Sequence, residues 1–116
     1  MRHQKKKVTL DRKIGPRTAL LTSLAESLIL HEKIITTKAK AKATRSLVER
    51  LITKAKPNTL AARRTLIAKL HTELAVKKLM EVLGPRYKER QGGYTRIVML
   101  KNRVGDGAEE AVVEMV

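Results

Sequence analysis

Residues 84–96 constrain the fold more than any other stretch, because they must connect a helix to a strand. Gly84-Pro85 predicts the end of a helix, since glycine takes the left-handed conformation easily and proline cannot continue the hydrogen-bond ladder. Gly92-Gly93 then leads into a β-rich run, Tyr94 to Leu100. The stretch also carries four cations and both tyrosines of the chain: Arg86, Lys88, Arg90, Arg96, Tyr87 and Tyr94. It is either an ordinary solvated loop or a place where an anionic partner binds. We call it the basic loop.

The net charge of +15 favours an anionic partner. Counted along the chain, residues 1–17 carry +6, residues 33–56 carry +7 and the stretch 84–103 carries +5, whereas residues 104–116 carry −4. A surface this cationic repels itself unless it meets a polyanion. The uneven distribution predicts a nucleic-acid partner on one side and an acidic face turned away from it.

Composition excludes several classes of protein and site. The chain of 116 residues is of single-domain length, and without cysteine it has no disulfide or thiolate metal site. No apolar run approaches the roughly 18 residues of a membrane span, and no apolar segment follows the N-terminal charges as in a signal peptide. The histidines lack partners at ligand spacing, and no nucleophile or phosphate-loop motif is present. We therefore expect a soluble cytosolic protein that is not an enzyme and needs no cofactor.

Periodicity predicts an α+β fold in one domain, residues 1–116. Residues 1–15 form an extended basic arm, which has little to bury and should be disordered in isolation. In the body, residues 16–116, several helices pack on a small, mostly antiparallel three-stranded sheet. The predicted helices cover about residues 16–30, 38–56, 59–70 and 73–83, and the strands about 33–37, 94–102 and 111–116, the last two antiparallel. The second helix should bury Leu47, Val48, Leu51, Ile52 and Ala55 and carry Lys56 on its opposite, basic face, and the fourth should bury Leu74. Thr37, Asn58 and Thr72 are the predicted helix caps, and Pro16 is expected at the first position of its helix.

Several motifs resemble the bacterial large-subunit ribosomal protein seventeen family over nearly the full length. They are Met1-Arg2-His3, Leu10-x-Arg12, Arg17, the run from Thr37 through Ala41-Lys42-Ala43, Arg45 and Glu49 to Lys56, Arg63-Arg64, Gly84-Pro85-Arg86-Tyr87, Arg90, Gly92-Gly93-Tyr94-Thr95-Arg96, Gly105-Asp106-Gly107-Ala108 and Glu114-Met115-Val116. The Gly-Gly-Tyr-Thr-Arg run is the most specific. The family usually has Asn at position 11 and a Ser-rich, His-Arg step where this chain has residues 13–17. Asp11 disfavours a phosphate contact there, and Pro16 should change the angle between arm and helix.

The resemblance implies a structural protein without catalytic activity. It implies binding to 23S ribosomal RNA in the large subunit of the cytoplasmic ribosome, near the exit of the nascent-peptide tunnel and beside other large-subunit proteins. With two aromatic residues the chain offers little stacking surface, so affinity should come mostly from phosphates. The alternatives are a general or nucleoid-type DNA-binding protein and an RNA-processing enzyme.

The candidate RNA-contacting residues lie in four segments. They are Arg2, His3, Lys5, Lys6, Lys7, Arg12, Lys13 and Arg17 in the arm, Lys38, Lys40, Lys42 and Arg45 in the second helix, Arg63 and Arg64 in the third, and Arg86, Tyr87, Lys88, Arg90, Gly92, Gly93, Tyr94 and Arg96 in the basic loop. The arginines of the loop should act as planar forks for phosphate oxygens. For Arg96 the alternative is an ion pair with an acid of the last strand, such as Glu114.

Overall fold

The computed structural model describes residues 8–116, in which helices pack against one face of a sheet. In chain order the elements are α1 (Ile14–His31), β1 (Lys33–Thr37), α2 (Lys38–Ala55), α3 (Leu60–Lys69), α4 (Glu73–Lys78), a π-helical turn (Leu79–Leu83), the short α5 (Gly84–Arg86), β2 (Thr95–Met99) and β3 (Glu110–Met115). The predicted α+β class is confirmed. None of the helices in this part of the chain is long and apolar enough to cross a membrane.

The sheet has the order β1-β3-β2, and both pairings are antiparallel. The last strand is therefore the central one. Its residue Val112 lies between Ile35 of β1 and Val98 of β2, and this row is on the face away from the helices, where Ile35 and Val98 are exposed. The next row, formed by Ile34, Val113 and Ile97, faces the core. The alternation is that of a sheet with one covered face.

Helix α2 is the centre of the packing, because it contacts α1, α3 and all three strands. Its buried residues recur at helical spacing: Ala41, Thr44, Val48, Leu51, Ile52 and Ala55. This agrees with the face predicted from sequence, which reads Leu47, Val48, Leu51, Ile52 and Ala55, except that Leu47 is only half-buried.

The prediction that Gly84-Pro85 ends a helix is wrong. The chain remains helical through Arg86, and Gly84 has right-handed dihedrals, φ −54° and ψ −57°. A π-helical turn precedes it, in which the Gly84 amide donates to the Leu79 carbonyl, so the missing amide of Pro85 falls at an already irregular turn. Close packing favours glycine here: a Cβ on Gly84 would lie 3.1 Å from the Leu79 oxygen and 3.3 Å from that of Ala55, so these backbone atoms would have to shift.

Three smaller predictions are corrected at the ends of helices. Helix α1 begins at Ile14, so Pro16 is its third residue rather than its first. The cap of α3 is Thr59, whose hydroxyl accepts from the Ala62 amide, and not Asn58. Leu74, expected in the core, is 69% exposed, and the buried residues of α4 are Ala75 and Val76.

One buried polar atom in the described core has no hydrogen-bond partner, the Thr44 hydroxyl oxygen. Thr44 is 0% exposed in the middle of α2. We expect Thr44→Val to stabilise the fold by about 1 kcal/mol, because it keeps the shape and removes an unpaired buried hydroxyl. The midpoint of urea unfolding should rise at constant m-value, whereas Thr53→Val, at a site where the hydroxyl donates to the Glu49 carbonyl, should bring no such gain. A drop in midpoint for the Thr44 variant would contradict the assignment.

Candidate nucleic-acid interface

Three predicted cations share one flank of α2, but acids hold two of them. Lys38 lies 3.5 Å from Glu109, and the Arg45 Nε donates to Glu49 at 3.0 Å. Lys42 is exposed between them and has no acid partner among residues 8–116. The flank is therefore less positive than its sequence indicates.

Lys40 does not belong to that flank. A two-residue step turns a helix by about 200°, so Lys40 points away from both Lys38 and Lys42. It is half-buried. The structure thus separates the four predicted residues of α2 into three neighbours and one outlier.

Both tyrosines lie in the core, which contradicts their prediction as surface contacts for RNA. Tyr87 is 4% exposed and Tyr94 is 1% exposed. Their ring centroids are 5.2 Å apart, and the Tyr87 hydroxyl donates to the Val116 carbonyl at 2.8 Å. Each ring therefore fixes one end of the basic loop instead of offering a stacking surface.

Lys56, which the sequence placed on the basic face of α2 but not among the contacts, holds the basic loop in place. Its ammonium group donates to the Arg90 carbonyl and, at 3.0 Å, to the Tyr94 hydroxyl. Burial raises the pKa of Tyr94, but hydrogen bonds from Lys56, Thr53 and the Gly92 backbone outweigh it, so the pKa lies below its ordinary value. We call the hydrogen bonds from Lys56 to the Arg90 carbonyl and the Tyr94 hydroxyl the Lys56 tether. No sequence pattern marks it, because its members are far apart along the chain.

The tether predicts a change in the ionisation of Tyr94. In Lys56→Met the pKa of Tyr94 should rise, because the largest lowering contribution is lost while burial remains. NMR titration of the Tyr94 ring measures this directly. Lys54→Met, two residues earlier on the same helix, removes equal charge and should leave the ring's pKa where it was. An equal shift in both variants would show that general charge, rather than the tether, sets the pKa.

Two of the three loop arginines have acid partners within the chain. Arg86 is hydrogen-bonded to Glu32, and Arg96 pairs with Glu114 at 2.6 Å, as the alternative for Arg96 predicts. The hydrogen bond from Arg86 lowers the pKa of Glu32 against a smaller effect of burial, and Lys78 adds to the lowering. In the described chain no acid holds Arg90, which is exposed. Arg90 is thus the loop arginine whose fork is open to a ligand.

Gly92 and Gly93 keep the same loop free of side chains. Their φ angles are 78° and 61°, a region that L-residues with side chains adopt rarely, and apart from the adjacent residues no heavy atom of the described chain lies within 4 Å of the position that a Cβ would take at either residue. A ligand backbone can therefore approach the chain closely beside Arg90. Lys88 is exposed in the turn at residues 87–89, just before Arg90.

The described end of the arm forms a turn in which arginine side chains donate hydrogen bonds to backbone carbonyls. The Arg17 guanidinium donates to the Arg12 carbonyl at 3.1 Å, and Arg12 in turn donates to the Leu10 carbonyl at 3.2 Å. Asp11 has a φ of 52°, a conformation that Asp and Asn tolerate better than most residues, so an acid there preserves the turn. Lys13 is exposed before α1. The remaining predicted arm residues, Arg2, His3, Lys5, Lys6 and Lys7, lie outside the described part of the chain.

The predicted pair on α3 divides by exposure. Arg64 is exposed and Arg63 is half-buried.

The α2 flank and the basic loop are brought together, because Glu49 of α2 accepts from the Thr95 hydroxyl at 3.0 Å and the Lys56 tether holds Arg90. A second group of cations, Arg50, Lys54 and Lys69, was not predicted at all. Their proximity depends on how α2 packs against α3, which spacing along one helix does not reveal.

The sequence matches known proteins over its whole length. The family described as ribosomal protein L17 matches residues 20–116. A large ribosomal subunit protein bL17 from Solibacter usitatus is 52% identical over 116 residues, which cover all of this chain and 77% of the relative. The proteins of the same name from Hydrogenobaculum sp. and Sulfurihydrogenibium sp. are 51% and 48% identical, and all of this chain covers 99% and 97% of them.

Proposed function

Since the chain belongs to the ribosomal protein L17 family, a family of structural ribosomal components rather than enzymes, we propose that it binds 23S ribosomal RNA in the large subunit of the cytoplasmic ribosome. We also propose that it lies near the exit of the nascent-peptide tunnel, beside other large-subunit proteins. The name of its relatives, large ribosomal subunit protein, supports the assignment to the large subunit. The resemblance of its motifs to those of the family supports the position near the tunnel exit.

The exposed cations that no acid of the described chain pairs with carry the proposal for RNA. Lys42 on α2 and Lys88 and Arg90 in the basic loop are exposed without acid partners in the described chain. The acids of the C-terminal segment are instead engaged within the chain: Glu109 pairs with Lys38, Asp106 with Arg103 and Glu114 with Arg96. A polyanion is attracted to the cations that remain exposed without a partner.

The basic loop supplies a rigid part of that surface. The Lys56 tether fixes the backbone at Arg90, so less order has to be gained on binding. Arg90 offers an open guanidinium fork, and Gly92-Gly93 leaves room for a sugar-phosphate backbone. Fixed geometry favours a folded RNA of matching shape over a regular duplex. This distinguishes ribosomal RNA from the alternative partner, duplex DNA.

Competition at fixed salt tests the proposal. The full chain is bound to labelled 23S ribosomal RNA and challenged with unlabelled 23S RNA or with random-sequence duplex DNA of equal phosphate concentration. We expect the RNA to compete at least about tenfold more effectively, because the DNA offers only the general electrostatic contacts. Equal competition would favour the general DNA-binding alternative. Retention of the chain on large subunits through a high-salt cushion provides the second readout.

A further inference from the structure

A narrow cleft between α2 and α3 is lined by three cations and no acid. Its volume is about 120 Å³. The lining residues are Leu47, Arg50, Leu51, Lys54 and Lys69. Leu51 is 1% exposed and Leu47 is half-buried, so these two form an apolar floor. Arg50, Lys54 and Lys69 are exposed at the rim.

Two other depressions beside α2 differ from this cleft in their charge. One is lined by Lys38 and Lys42 together with Glu109, and another by Lys42 and Arg45 together with Glu49. In both, a carboxylate pairs with one of the two cations, Glu109 with Lys38 and Glu49 with Arg45. Of these three depressions, the α2–α3 cleft is the one whose lining has cations and no acid. The sequence analysis predicted RNA contacts on the other flank of α2 instead.

The local geometry prepares Arg50 to bind an oxyanion. Its Nε donates to the Ser46 carbonyl at 3.2 Å, which fixes the plane of the guanidinium, and its two terminal nitrogens have no acceptor among residues 8–116. Lys54 is one helical turn further along α2, and Lys69 comes from the end of α3. Like charges four residues apart destabilise an isolated helix, so α2 alone does not account for this pair.

We propose that the α2–α3 cleft binds a backbone phosphate of the ribosomal RNA, an inference that rests on the proposed function. The arginine fork binds two phosphate oxygens, and the two ammonium groups complete the compensation of charge. The apolar floor strengthens these contacts because it excludes water from one side.

The first test compares two triple variants of the full chain with equal loss of charge. The cleft variant carries Arg50→Gln, Lys54→Gln and Lys69→Gln, and the control carries Lys33→Gln, Lys77→Gln and Lys101→Gln, all exposed positions outside the cleft. Binding to 23S RNA is measured across a salt series. We expect the cleft variant to bind about tenfold more weakly than the control, with a salt slope smaller by about one.

The outcomes separate the cleft from the function on which it rests. If both variants bind with equal affinity and equal slope, the cleft holds no phosphate and the inference is overturned, while the proposed function stands. If the unaltered chain does not bind 23S RNA, both are overturned. Circular dichroism of each variant ensures that a loss of affinity is not a loss of fold.

A second test reads the position of the RNA and does not depend on removing charge. The chain has no cysteine, so Ala68→Cys, an exposed site next to Lys69, can carry a single iron chelate that cleaves nearby RNA. Val104→Cys, at a residue 99% exposed in the β2–β3 connection, is the control. We expect cleavage of 23S RNA at a short run of nucleotides from position 68 only. Cleavage no stronger than from position 104, or contact of position 68 with a protein neighbour instead of RNA, would overturn the inference.

Discussion

Raising the salt concentration from about 50 to 200 mM is expected to weaken binding of this chain to 23S RNA by about 10³–10⁵-fold, if roughly 6–10 phosphates are neutralised. The structure supports this range although acids hold four of the predicted cations, Lys38, Arg45, Arg86 and Arg96. Exposed ion pairs are worth little and can exchange an acid for a phosphate. Lys42, Lys88 and Arg90, with the α2–α3 cleft, add cations that need no such exchange.

Filter binding or fluorescence anisotropy at four or more salt concentrations measures the slope. Far-ultraviolet circular dichroism at the two ends of the series serves as control, since the fold should not change over this range. A nearly flat response would mean that most of the +15 charge is solvated in the complex, and the proposed phosphate contacts would be wrong.

Replacing Gly84 by valine is expected to destabilise the fold by about 1–3 kcal/mol or more, because the new side chain has no space. The first added carbon alone would lie 3.1 Å from the Leu79 carbonyl oxygen and 3.3 Å from that of Ala55. Both obstacles are backbone atoms inside packed helices, so neither can move aside as a flexible side chain does. Since a domain is stable by only about 5–15 kcal/mol, this loss should be evident at once.

Gly15→Val is the matched control for this prediction. Gly15 is also helical and also precedes a proline, so both variants share the cost of placing a side chain before a proline ring. Apart from its chain neighbours, nothing lies within 4 Å of a Cβ at Gly15, so valine should destabilise the fold less there than at Gly84. Urea unfolding of the two variants compares them directly. A Gly84 variant as stable as the Gly15 variant would show that α2 and the α5 turn separate without cost.

Features that depend on local periodicity could be predicted from the sequence. The three strands and the long helices appear within a few residues of their expected positions, and the antiparallel pairing of the last two strands is confirmed. Strand β1 matches its predicted bounds because Ile34-Ile35-Thr36-Thr37 is β-branched throughout. The helical face of α2 was predictable for the same reason: its apolar residues repeat every three or four positions.

Features that depend on distant partners could not be predicted. Gly84-Pro85 has the local pattern of a helix end, yet the close approach of Ala55, which is remote in sequence, favours glycine inside a helix. The tyrosines looked available in a loop of charged residues, yet each buries its ring against the other and the core. Glu32 shows the same limit, because its pairing with Arg86 and Lys78 exists only once α1 meets the later helices.

The central position of β3 has a consequence for the order of events during synthesis. Within the described residues, β1 and β2 each pair with β3 and not with each other. Lys33 of β1 and Arg96 of β2, for example, both lie opposite Glu114 of β3. While a ribosome is producing this chain, the helices can dock as they emerge, but the two earlier strands have no partner until residues 110–115 are free. Pairings so distant along the chain close late. The sheet therefore forms only after β3 has been synthesised, and a chain halted before residue 110 cannot form it.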